Sequence, residues 1–331
     1  MPRAVGWLEA TACVFSIGAV SLVYAIGHAL GAHPIAFILY AMIATAAVTL
    51  ALVGFGPQAA AIVRHPMSWV VGLSIILLEV FYFQTIAYVA PAHGNIVLRI
   101  GIPLSMAAGW VFLRRRPLPL AIGGGVVIVL VIAFVVAVTP SDVRWPMAIA
   151  GTLAGTFMVL RGFASEFHPM NRTASTVREK LRFTGVVVLV ASALSLALAA
   201  AAAVAVANGV LPETRMLPTT AQMLHAPTII LGCVVGGAAL ALMFYFNFSS
   251  VIAIGTESLM AMMAFSPATT WIFQEAGVAL GWIDVRRPDA DIVAAIVVCI
   301  AAVLLIFWAD VRARRALALR HLPSTDRIPL S

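Results

Sequence analysis

Glu79 lies inside one run of apolar residues, and Arg99 lies inside the next. A turn at Pro91-Ala92-His93-Gly94 joins the two runs, so residues 78–116 read as a hairpin with the two charges as neighbours. An unpaired charge at bilayer depth costs at least ~2.5 kcal/mol. Glu79 and Arg99 are therefore expected to pair in at least one conformational state. Glu79 could also carry or relay a proton; the plainer reading is a structural ion pair. Pro103 follows Arg99 by one turn and withholds the N–H that would bond the Arg99 carbonyl. Pro267 does the same to Met263 in a later run. Freed carbonyls at membrane depth need water, a side chain or a ligand, so helix kinks are expected at Pro103 and Pro267.

Helical spacing puts Asn95, Arg99, Met106 and Trp110 on one face. The matching face of the Pro267 run holds Thr256, Met260, Met263, Trp271 and Gln274. Both faces mix polar, aromatic and flexible groups, which suits a cavity lining; plain helix packing is the reading favoured for the methionines. The expected substrate-binding set is Arg99, Asn95, Trp110, Tyr82, Met263, Trp271 and Gln274, with Glu79 as proton-coupling candidate. Ser21, Tyr24, His28, His93, Arg161 and Glu166 read as interfacial polar groups. Glu257 reads as an acid favoured by a helix N-terminus, and Glu275 as an outer-interface residue. Gly151/Gly155 and Gly232/Gly236 have the four-residue spacing of close helix approach.

Several chemistries find no support. There is no HExxH, Walker loop, GxSxG or aspartate-rich pair. Cys13, Cys233 and Cys299 each lie in an apolar run without a CxxC partner. No enzyme activity, metal or cofactor is expected.

The elements that position these residues follow from composition. Of 331 residues, 63% are hydrophobic and 10% charged, against about 25% charged in a soluble domain. Mean hydropathy is +1.06. These values describe an all-α integral membrane protein. Ten spanning segments are expected, near 6–28, 35–55, 67–90, 94–113, 119–139, 146–164, 183–207, 226–248, 257–275 and 291–309.

The net charge of +7 is not spread as a nucleic-acid footprint; it sits in clusters between apolar runs. With the N-terminus inside, fourteen of the 20 basic residues fall on the cytoplasmic side. Arg144, Arg215, Arg286 and Arg287 fall outside, and Arg99 and Arg161 at membrane depth. That bias places both termini in the cytoplasm. Lipid and a small molecule are the expected partners, nucleic acid is not, and a monomer is expected rather than a dimer.

The two halves echo each other. Phe81-Tyr82-Phe83 precedes the Pro103 run, and Phe244-Tyr245-Phe246 precedes the Pro267 run. Residues 84–103 (QTIAYVAPAHGNIVLRIGIP) and 247–267 (NFSSVIAIGTESLMAMMAFSP) each place a small-residue turn before an apolar helix centred on proline. With ten spans and both ends inside, the chain resembles the drug/metabolite transporter superfamily and its EamA-like repeats. The resemblance implies two inverted five-helix repeats, 1–139 and 140–310, followed by a cytoplasmic basic tail at 311–331. It implies a secondary transporter or exporter that moves a small organic metabolite across the inner membrane by alternating access around a central cavity. Coupling would be to protons or absent. A membrane-embedded enzyme or a lipid-headgroup-handling protein is the alternative expectation.

Overall fold

The computed structural model describes residues 3–214, 216–285 and 287–320, with backbone alone for Arg3, Thr256, Glu257 and residues 315–320. Arg215, Arg286 and Arg327 lie outside the described residues, as do the side chains of Thr256, Glu257, Arg315 and Arg320.

Every described element is a helix. In order they are α1 (Arg3–Ala29), α2 (Pro34–Val53), α3 (Ala59–Arg64), α4 (Pro66–Tyr88), α5 (Pro91–Leu98), α6 (Gly101–Leu113), α7 (Pro119–Val138) and α8 (Ser141–Phe167). Then follow α9 (Pro169–Thr173), α10 (Val177–Ala207), α11 (Thr220–Met223), α12 (Ala226–Ile230), a π-helical turn (Leu231–Gly236), α13 (Gly237–Ile254), α14 (Thr256–Met263), α15 (Ser266–Ala279) and α16 (Ala290–Arg320). Proline opens α2, α4, α5 and α7, where its missing N–H has no helical partner to lose. Gly54 ends α2 at φ 73°, a conformation that favours glycine.

Nine helical stretches among the described residues are long and apolar enough to cross a membrane, which makes this a multi-pass membrane protein. The expected ninth segment, 257–275, is not one of them. It is split into α14 and α15 at Ala264 and Phe265, and Ser266, Thr269, Thr270, Gln274 and Glu275 make it less apolar than the nine. The fourth segment is split likewise, at Arg99 and Ile100 between α5 and α6. Both breaks lie upstream of the expected kinks. Pro103 and Pro267 sit in the first turns of α6 and α15, where proline is tolerated, so the helix parts where their missing N–H is needed. The Arg99 carbonyl is not left free, because Ile102 N–H reaches it at 2.9 Å.

Packing follows a regular plan. α4 lies on α8, and α1 on α13 and α15. α2 lies on α10 and α13, α10 also on α4, α7 on α16, and α5 on α8 and α15. The small-residue pairs act as contact points. Gly151 faces Val97, and Gly155 faces Ile100 and Gly101, so the α5–α6 break is seated on a groove of α8. Gly232 and Gly236 seat the π-helical turn on Phe37 and Ala41 of α2. A Cβ on Gly155 would stand 2.4 Å from Ile100 Cγ2 and 3.0 Å from the Gly101 nitrogen. Gly155→Val should therefore displace the break and lower the melting temperature by several degrees, since overpacking costs about 1–3 kcal/mol. Gly123→Val, whose Cβ would meet no atom within 4 Å, is the control. Equal melting of the two variants would show that the groove tolerates a side chain.

One end of the bundle is knitted by basic residues. Arg182 donates to the carbonyls of Gly54 at 3.1 Å and Val53 at 3.0 Å, closing the C-terminus of α2. Arg115 pairs with Glu166 at 2.7 Å. At the same end His168 is buried, hydrogen-bonded through Nε2 to Ser68 Oγ at 2.9 Å and packed between His65 and Phe183. Burial, with His65 beside it, holds the His168 imidazole below the usual histidine range.

Candidate functional site

The two breaks meet. Asn95 on α5 is fully buried, and all four hydrogen-bonding positions of its amide are filled. Its Nδ2 donates to Tyr82 Oη and to Thr270 Oγ1, both at 3.1 Å. Its Oδ1 accepts from Arg99 Nη2 and from Ser266 Oγ, both at 2.9 Å. Arg99 Nη2 also donates to Ser266 Oγ. Gln274 on α15 accepts from the Ala92 N–H in the first turn of α5 at 3.1 Å. One amide thus ties the two interrupted segments together, and a second caps one with the other.

The network extends into α1. Tyr82 Oη is 2.7 Å from Ser21 Oγ. Tyr24 Oη donates to Glu79 Oε2 at 2.8 Å. The rings of Phe37 and Phe83 pack against Tyr24, with centroids 5.9 and 5.3 Å away. Ser21 and Tyr24, expected at the interface, are fully buried. α1 runs the full span from Arg3 to Ala29 and carries both residues inside the bundle.

The expected pairing of Glu79 with Arg99 is not what is found. Among the described residues neither takes part in an ion pair. Tyr24 from α1 takes the carboxylate, whereas the guanidinium turns towards α15. The cation within Coulombic range of Glu79 is Arg161 on α8, half-buried and also close in charge terms to Cys13.

Other expected residues are spread more widely. Met263 is half-buried against the small cluster of Ala10, Cys13 and Leu259. Trp271 packs beside the cluster containing Ala92 and Ile96, and its indole N–H reaches Glu275 at 3.2 Å. Glu275 in turn pairs with Arg287 at 3.3 Å. Trp110 is 53% exposed beside Val111 and Phe112 on the outer face of α6, so it does not line the centre. A shallow groove of about 420 Å3 between α7 and α16, lined by Val127, Leu130, Phe134 and Val298, shares none of these polar residues.

Ser266, Thr270, Ser21 and Tyr24 were not expected at the centre. The signal for the first two was present: Ser266 directly precedes Pro267, and Thr270 follows it by one turn on the same face.

No protein-family model matches the sequence, and no curated protein does. A solved structure described only as "Crystal structure of protein" is similar over 97% of this chain and 100% of its own, with a TM-score of 0.53 and 15% identity. At that identity the likeness shows the fold alone.

Proposed function

We propose that this chain is a secondary transporter of the drug/metabolite class, moving a small organic metabolite across the inner membrane by alternating access, coupled to protons. The observation that carries the reading is the meeting of two interrupted helices at one buried polar centre. Irregular backbone at membrane depth is tolerated where it is buried in protein or lines a cavity, and interrupted helices are how secondary transporters build midplane sites.

The packing plan supports an inverted repeat. Take α14 and α15 together as the ninth of ten crossings, and exchange the first crossing with the sixth, the second with the seventh, and so on. The contact of α4 with α8 becomes that of α13 with α1, and α2 with α13 becomes α10 with α4. The contact of α1 with α15 becomes that of α8 with α5 and α6, while α2 with α10, α7 with α16 and α5 with α15 map onto themselves. Alternating access then amounts to the two halves rocking about the α5–α15 contact, with the described structure closed around its centre.

Both termini are cytoplasmic in this reading, on the bias of the basic residues. A reporter fused after Ser331 that is active only outside the cytoplasm would overturn that orientation. The central test is flux in proteoliposomes. A solute that stabilises the purified protein should cross the vesicle membrane chemically unchanged. A product altered in structure would replace the transporter with a membrane-embedded enzyme.

A further inference from the structure

We propose that the site between α5, α6 and α15 takes an organic carboxylate, held by Arg99, and that this anion is the transported solute; the second half of the statement rests on the transporter reading above. Arg99 is 6% exposed. Both side chains it hydrogen-bonds are neutral, Asn95 and Ser266. Its Nε is buried without a hydrogen-bond partner. A guanidinium at this depth lacks both a counter-ion and one of its bonds, and a bound anion supplies both. Nε and Nη2 lie on the same edge of the guanidinium; Nη2 already serves Asn95 and Ser266, so a carboxylate takes the unpartnered Nε–H directly and reaches Nη2 by displacing Ser266 Oγ.

The backbone points the same way. α6 starts at Gly101, two residues after Arg99, and α15 starts at Ser266, the residue Arg99 touches. Each is more than three turns long, so each carries the partial positive charge of a helix N-terminus. Their N-cap residues are Ile100 and Phe265, which offer no side-chain cap. Pro103 and Pro267 remove a donor from each first turn and Ile102 N–H already bonds the Arg99 carbonyl, so the helix ends contribute a favourable field while the guanidinium contributes the bond. Glu79 does not neutralise it, because Tyr24 holds that carboxylate.

The test uses the full chain in nanodiscs and reads thermal shift. Probes are benzoate, succinate and glutamate, the corresponding neutral amides, and inorganic phosphate. A carboxylate should raise the wild-type melting temperature saturably while its amide does not. The shift should vanish in Arg99→Gln and return in part in Arg99→Lys. Asn95→Asp places an internal carboxylate where Oδ1 already lies 2.9 Å from Arg99 Nη2. It should lose the carboxylate shift. Shifts from the amides alone, or a carboxylate shift that survives Arg99→Gln or Asn95→Asp, would each overturn the proposal. Phosphate acting alone through Arg99 would replace the carboxylate with a phosphate. A carboxylate that binds through Arg99 but shows no flux in proteoliposomes would remove the transport reading and leave the anion site standing.

Discussion

Asn95→Leu is expected to abolish flux and to lower the melting temperature further than Gly155→Val. Leucine has a similar shape, so the change is one of bonding and not of volume. Four hydrogen bonds disappear, to Tyr82, Thr270, Arg99 and Ser266. Bonds between membrane helices average about 0.6 kcal/mol, so four amount to about 2 kcal/mol. Arg99 is then left with Ser266 as its remaining hydrogen-bond partner, and a stranded buried charged group adds at least about 1–3 kcal/mol. The loss should thus reach about 3–5 kcal/mol. It falls on the contact between α5 and α15, about which the two halves are proposed to move. Melting of the purified variant and solute flux, measured on one preparation, check both parts. A variant that melts with the wild type and still transports would mean that the polar centre neither holds the halves together nor takes part in transport.

Much of the fold could be read from hydropathy and punctuation, because both are local. Long apolar runs opened by Pro34, Pro66 and Pro119 became helices starting at those residues. The paired prolines marked the two segments that are broken. Their displacement by a few residues follows from proline's tolerance of a first turn, a rule that acts only once the helix has parted. Pairing between segments was less legible, because it depends on how each helix is rotated. Glu79 and Arg99 sit on one hairpin, yet the partner of Glu79 comes from α1, 55 residues away. Asn95 reaches Thr270 and Ser266 across 175 and 171 residues. Spacing put Trp110 on the face of Arg99, but the break after Arg99 resets the helical phase between α5 and α6. A face drawn through an uninterrupted helix therefore fails beyond Ile100.

Glu79→Gln is expected to make transport independent of pH. Glu79 lies two residues past the middle of α4, is buried, and has one hydrogen bond given by a neutral hydroxyl. A carboxylate without an ion pair at the bilayer centre costs about 2.5–3.5 kcal/mol in the charged form. Taking up a proton removes that cost, and so does the approach of Arg161 when the halves move. The energy of the closed centre therefore depends on whether Glu79 carries a proton, which is the requirement for coupling. Glutamine keeps the shape and the bond from Tyr24 but cannot ionise. The variant should fold, since it swaps a costly charge for a neutral amide. Its flux should stay flat across a pH range in which the wild type varies, and an imposed proton gradient should no longer drive accumulation. Flux against pH in vesicles, with the amount of folded protein matched, makes the comparison. If Glu79→Gln keeps the wild-type pH profile and still accumulates solute against a gradient, Glu79 is a structural acceptor for Tyr24 and the coupling proton travels elsewhere.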